Sequence, residues 1–258
     1  MTLLSGLRDL VRRLVGRRPR ADVPPGQLGS VAELLAALEE IGAQSTDGDG
    51  LAAFNGMYLR VTRRVHQRIT ERGFRDPAYM ARLTTVFGGL YVDAVRAPVG
   101  SNKAWAPLLE SRHDGGRVAI QYALAGMNAH INYDLPVAVV TTNRQLGVGL
   151  DAVAADYRAI TDLLAEEQDA VRRSFLRGIA LEVDRHLVGP VASLVGSWSI
   201  ARARDAAWTN ARVLWEIEHL EPVSGEFLGT LQRTVGMAGR LLLTPLSELE
   251  GAPALLGR

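Results

Sequence analysis

Residues 118–140 read VAIQYALAGMNAHINYDLPVAVV, and how this stretch is read decides the fold. Asp134 is its only formal charge. A helix at a protein surface shows a charged face, and this one does not, so it is predicted to be a central helix enclosed by others. It nevertheless contains Gln121, Asn128, His130, Asn132, Tyr133 and Asp134. A polar group buried without a partner costs about 1–3 kcal/mol, so this set must pair internally, with the backbone, with water or with a ligand. Helical geometry puts His130 and Asp134 on one face, with the small residues Ala123 and Gly126 on the same face one to two turns earlier. Small residues there predict space beside the imidazole and the carboxylate. Asn128 and Asn132 form a second i,i+4 pair on a different face. Pro136 has no N–H to donate, so it predicts either a kink or a new helix start with Asp134 as its N-cap.

The flanking sequence is helical in pattern almost throughout. Ser30 and Glu33 form a capping box ahead of an apolar run, predicting a helix over 30–43. Leu51, Phe54, Met57, Tyr58, Val61, Val65 and Ile69 recur at helical spacing, predicting a helix over 51–71. Asp76-Pro77 pairs an N-cap with proline at the first helical position and opens a helix to Arg96. Trp105 to Ser111 suits a short helix. A polar loop is expected over 141–149, then helices over 151–172, 174–187, 190–219 (broken near Gly196) and 224–242. Period-two runs bounded by turn dipeptides are absent. The expected fold is all-α, an irregular bundle of about eight helices around the central polar-bearing one. The expected division is an N-terminal basic amphipathic arm and linker over 1–28, a single helical domain over 29–242 and a C-terminal tail over 243–258.

Composition narrows the function classes. The chain has 258 residues, 47% hydrophobic and 22% charged, with a net charge of +1. These values fit a folded globular domain and not a disordered one. With no cysteine there is no disulfide framework, thiolate metal site or thiol nucleophile. Lys103 is the sole lysine, and so complete a bias towards arginine reads as a GC-rich genome. The arginine clusters lack interleaved aromatic residues and give no nucleic-acid footprint. No apolar run reaches the roughly 20 residues of a spanning helix. Residues 1–20 could make weak contact with a membrane surface. A cytoplasmic protein is expected; the oligomeric state is open.

Two chemistries suit the central pair. In the first, Asp134 orients His130 and raises its basicity, making a general acid or base. Asn128, Asn132 and Tyr133 then hold the substrate. In the second, His130 and Asp134 are two ligands of a divalent metal in a hydrolase-type enzyme, with further ligands drawn from His66, His113, His186, His219, Asp93 or Asp156. No resident cofactor is expected in the first reading. A third, non-catalytic reading makes the protein a small-molecule binder or scaffold whose polar groups pair internally. Trp198, Arg202 and Asp205 lie on one helical face with Thr209, Arg212 and Glu216. That stripe is either a solvated salt-bridge ladder or an inward-facing wall with Trp198 as a lid and Arg202 and Asp205 as binding groups. Gly88-Gly89 lies within a helical pattern and suggests close helix packing.

Residues 126–136, GMNAHINYDLP, and 197–208, SWSIARARDAAW, resemble the two signature segments of the domain of unknown function 5995 family. The regions around Tyr58–Arg63 and Phe74–Pro77 are similar too. The resemblance covers roughly residues 30–220. It implies a shared helical domain found in GC-rich bacteria and, by analogy, among natural-product biosynthesis genes. It transfers no catalytic residue. The acid/base reading of the dyad carries the expectation of a small apolar, polyketide- or terpenoid-like substrate and of cyclase, isomerase or lyase chemistry.

Overall fold

The computed structural model describes residues 28–164 and 199–249. The chain is all-α, with no strand among the described residues. Local capping chemistry explains most helix starts. In α1 (Val31–Gln44) the Ser30 hydroxyl accepts the Glu33 N–H. The Glu33 carboxylate reaches one residue further back than expected, to the Gly29 N–H at 2.7 Å. Helix α2 (Gly50–Thr70) is capped by Asp49, whose carboxylate accepts the Leu51 N–H and is also clasped by Arg112. Helix α3 (Pro77–Arg96) starts as its sequence predicts, with the Asp76 carboxylate accepting the Tyr79 N–H at 2.9 Å. The preceding loop is held by Asp156, which accepts the N–H groups of Arg75 and Asp76 at 2.8 Å each. That carboxylate, a metal-ligand candidate by sequence, is thus engaged with backbone. After α4 (Ala106–Ser111) the central element begins.

That element is one continuous helical rod in three parts: α5 (Ala119–Ala129), a π-helical turn (His130–Asp134) and α6 (Leu135–Leu146). Pro136 provides a physical reason for the middle part. In an α-helix it would owe an N–H to the Asn132 carbonyl, and its ring would clash there. The wider turn shifts the ladder, so Leu135 donates to the His130 carbonyl five residues back. The helix neither breaks nor restarts, and Asp134 makes no side-chain cap. Helix α6 also runs through residues 141–146, expected as loop. Thr142 and Asn143 there are fully buried, and Asn143 Oδ1 accepts the Tyr79 hydroxyl proton at 2.7 Å. Polarity at Asn143 reflects a buried hydrogen bond and not solvent. Gly147, at φ 67°, ends the helix in the left-handed conformation that glycine adopts without strain.

Other helices surround this rod. Helix α7 covers 150–164 of the described chain, followed by α8 (Ile200–Ile217), α9 (Val223–Leu242) and the short α10 (Leu246–Leu249). Helices α2 and α9 pack on α5, and α3 and α8 pack on α6. The expected helices over 165–198, including the break near Gly196, and the arm over 1–27 lie outside the described residues. Ser199 caps α8, donation coming from the Arg202 N–H. Residues 243–249, expected to be tail, are bound to the body. Gln121 donates to the Leu242 and Thr244 carbonyls, Arg117 donates to that of Leu243, and Leu246 N–H donates to Gly116. No helix among the described residues is long and apolar enough to cross a membrane.

Close approach fixes two glycines. A Cβ on Gly88 would fall 2.4 Å from Leu34, so α1 and α3 touch there as the sequence suggests. A Cβ on Gly236 would fall 2.3 Å from the Lys103 carbonyl oxygen, which is backbone and cannot swing aside. Replacing glycine with alanine inside a helix normally gains up to about 1 kcal/mol. For Gly236→Ala the sign should reverse to a net loss of about 1–3 kcal/mol through overpacking. Gly229→Ala, which meets only the end of the Arg233 side chain at 3.4 Å, should keep the usual gain. Urea midpoints of the two variants check this directly.

Candidate functional site

The rod places His130 and Asp134 at the centre of the molecule, 3% and 1% exposed. His130 Nδ1 lies 2.9 Å from Asp134 Oδ2. The same oxygen accepts the indole N–H of Trp105 at 3.0 Å. Trp105 arrives from the turn before α4, where Asn102 Oδ1 accepts the N–H groups of Ala104 and Trp105. The result is a fixed Trp105–Asp134–His130 chain.

Aromatic rings enclose the imidazole. Phe87 stacks on it, with ring centroids 3.6 Å apart and planes within 8°. Tyr58 meets it edge-on at 4.5 Å, and Phe54, Tyr91 and Trp105 complete the cage at 5.8–6.0 Å. The space expected beside Ala123 and Gly126 is filled. A Cβ on Gly126 would lie 2.4 Å from the Phe54 ring, so the glycine admits an aromatic wall and leaves no opening.

Three polar atoms in this cage have no hydrogen-bond partner: His130 Nε2, Asp134 Oδ1 and the Tyr58 hydroxyl. They belong to side chains in mutual contact. Burial pushes the Asp134 carboxyl well above its ordinary 3.8, against the opposing Trp105 hydrogen bond, and pushes the His130 imidazole well below 6.5. Both shifts favour an uncharged pair. Burial also raises the Tyr58 phenol. In the uncharged state the pair holds one proton between Oδ2 and Nδ1. When Nδ1 accepts it, the ring proton sits on Nε2.

The other residues singled out by sequence go elsewhere. Asn132 donates to Asn128 Oδ1 at 3.0 Å, and Asn128 donates to the Val235 carbonyl at 2.8 Å. Gln232 donates to the Tyr133 hydroxyl at 3.0 Å. Asn128 and Tyr133 thus tie the rod to α9, with Asn132 bracing Asn128, and none of the three is hydrogen-bonded to the dyad. Arg202 and Asp205 are exposed on α8. Trp198 and His186 lie outside the described residues. Asp93, His113 and His219 are exposed, and no group of three or more His, Cys, Asp or Glu that could hold a metal occurs among the described residues.

The structure adds residues that the sequence reading missed. Phe54 with Tyr58, and Phe87 with Tyr91, are two i,i+4 aromatic pairs on α2 and α3, a pattern visible in the sequence and sufficient to mark an aromatic wall. Trp105 gave no such signal, because only its tertiary partner defines it. Arg204, on the same helix as the Arg202–Asp205 stripe but off that face, turns inward and is 3% exposed. Beside the cage lies a cavity of about 50 Å³ between α2, α3, α7 and α8. Tyr58 and Phe87 belong to both the cage and the cavity wall.

A helical body wrapped around a single polar-bearing rod, with a caged histidine–carboxylate pair at its centre, defines the class of protein. The model of the family of unknown function DUF5995 matches residues 31–245, and the chain belongs to that family. The match contains the dyad, its cage and Arg204, and it extends past the roughly 30–220 expected from sequence to include α9. No curated protein and no solved structure matches the chain.

Proposed function

We propose that the protein is an enzyme acting on a small, largely apolar molecule by acid/base chemistry: cyclisation, isomerisation or elimination. His130 is the proton-transfer group and Asp134 its orienter. Substrate enters from the cavity as the Phe87 ring swings away from the imidazole. The observation that carries this reading is the set of three unpartnered polar atoms, buried together behind two rings that also wall a cavity. A core histidine kept for packing alone would be expected to have both ring nitrogens satisfied. A π-helical turn at the pair fits, since such turns recur at functional sites. A substrate from specialised metabolism and a cytoplasmic setting belong to the same proposal.

One observation favours a second, non-catalytic reading. Aromatic rings surround His130 and leave it 3% exposed. In that reading the dyad is a structural pair inside a binding or scaffold protein. The metal alternative would need ligands beyond the pair, and the described residues bring none to it.

Incubating bacterial extracts with the wild-type protein and with His130→Gln separates the readings. Acid/base catalysis predicts a metabolite consumed, and a product of equal mass (or mass less a small leaving group) formed, by wild type alone. Circular dichroism must show the variant folded. If extracts from several producers yield no such pair while His130→Gln merely loses stability, the structural reading stands.

A further inference from the structure

Arg204 is the only fully buried arginine among the described residues. Three partly buried arginines elsewhere have acidic partners: Arg112 with Asp49, Arg144 with Glu218 and Arg117 with Asp114. Arg204 forms no ion pair among the described residues. Its Nε donates to Thr161 Oγ1 at 2.9 Å and its Nη2 to the Tyr157 carbonyl at 2.9 Å. The guanidinium lies 4.2 Å from the centre of the Tyr157 ring, and the Tyr157 hydroxyl donates to the Arg204 carbonyl. These contacts orient the side chain, but none supplies a full negative charge. Nη1 has no hydrogen-bond partner among the described residues. Asp205, the neighbouring acid, is exposed and acts only at longer range.

A guanidinium remains charged in proteins, so a buried one without a counter-ion is costly unless an anion joins it. Arg204 lines the cavity described above. The other polar side chains in that wall are Tyr58, Thr62 and Thr84. Thr62 and Thr84 spend their hydroxyl protons on the Tyr58 and Met80 carbonyls. That leaves Arg204 and the Tyr58 hydroxyl as the donors available to an occupant. The remaining wall is aliphatic apart from Phe87. A multiply charged phosphate would need more donors than this wall offers, whereas a single carboxylate matches the planar guanidinium.

We propose that the cavity binds a short apolar monocarboxylate, its carboxylate on Arg204 and its hydrocarbon part directed along Leu83 and Leu135 towards Phe87 and the dyad. This names the substrate class for the reaction proposed above. As a statement about turnover it rests on that reading; as a statement about binding it does not. Arg204 is the anchor, and specificity for acid over alcohol resides in it.

The test is binding of acetate, propionate and butyrate, sized to a cavity of about 50 Å³, to the full chain, each compared with the alcohol of equal length, by calorimetry and by thermal midpoint. At least one acid should bind and raise the midpoint, with the matching alcohol at least tenfold weaker. Arg204→Met should erase the preference for acid, and Arg204→Lys should retain part of it. Acid and alcohol binding alike, no acid binding at all, or Arg204→Met binding as wild type would each overturn the proposal. The wild-type contrast decides the matter even if Arg204→Met fails to fold. His130→Gln should bind the acid normally. Acid binding by the wild-type protein with no turnover by it in any extract would sink the catalytic reading and leave the carboxylate site standing.

Discussion

Asp134→Ala is expected to be among the most damaging single substitutions in the chain, losing on the order of 2–5 kcal/mol, since each buried hydrogen-bonding group left without its partner costs about 1–3 kcal/mol. Two hydrogen-bonding groups depend on the one oxygen it removes: the indole N–H of Trp105 and Nδ1 of His130. Both lie where water cannot compensate them, since Trp105 is fully buried. Total stability of a domain is typically about 5–15 kcal/mol, so the loss should be plain in a urea midpoint. Asp134→Asn keeps the shape and an acceptor for Trp105, and should cost only about 1–2 kcal/mol. Trp105→Phe should weaken the protein by a similar amount. The Asp134→Asn and Trp105→Phe pair should be non-additive in a double-mutant cycle, because they share one bond. An Asp134→Ala protein within about 1 kcal/mol of wild type would mean that the cage admits water.

What could be read from the sequence follows from how local each determinant is. The starts of α1 and α3 were legible because a cap is a side chain within three residues of the N–H it serves, as with Ser30 and Asp76. The central rod was legible because a helix without a charged face has to be enclosed. The His130–Asp134 contact was legible because helical spacing puts residues four apart in reach, and the π turn preserves that contact. The Asn128–Asn132 contact was legible in the same way, but the roles of Asn128 and Tyr133 were not. Their partners Val235 and Gln232 lie about a hundred residues away on α9, and nothing local indicates which face that helix covers. Arg204 went unremarked for the same reason: helical spacing separates the face of Arg202 and Asp205 from that of Arg204, and only packing against α7 shows which of them is buried. The expected loop over 141–146 failed because a buried Asn143 bonded to Tyr79 looks, in sequence, like a solvated one.

Stability should be flat with pH between about 3.8 and 6.5 as far as the dyad is concerned, and should fall on either side. The signs come from counting protons. In the folded protein the Asp134 carboxyl is raised and the His130 imidazole lowered, so the pair keeps one dissociable proton. In the unfolded chain the two groups together hold two protons below 3.8, one between 3.8 and 6.5, and none above 6.5. Stability rises with pH where the unfolded chain binds more protons and falls where it binds fewer. The lowered histidine thus contributes stability present above 6.5, which is lost as pH drops through its folded value. The raised carboxyl contributes stability present below 3.8, which is lost as pH climbs through its folded value. In the middle window the two effects cancel. Above 6.5 the decline should approach roughly 1 kcal/mol per pH unit until the dyad gives up its proton. Urea unfolding at half-unit steps from pH 5 to 9 measures the slope, and Asp134→Asn isolates it from the rest of the protein by abolishing the decline above 6.5. Linkage counts protons without regard to which atom holds them, so the slope does not depend on how Oδ2 and Nδ1 share theirs. A wild-type curve as flat as that of Asp134→Asn above 6.5 would mean an ionised Asp134 beside a neutral ring, with Nδ1 donating and Nε2 bare. The outcome fixes the chemistry open to His130: a dyad that keeps its proton presents an N–H at Nε2 and enters a reaction as an acid, while one that has lost it presents a lone pair and enters as a base.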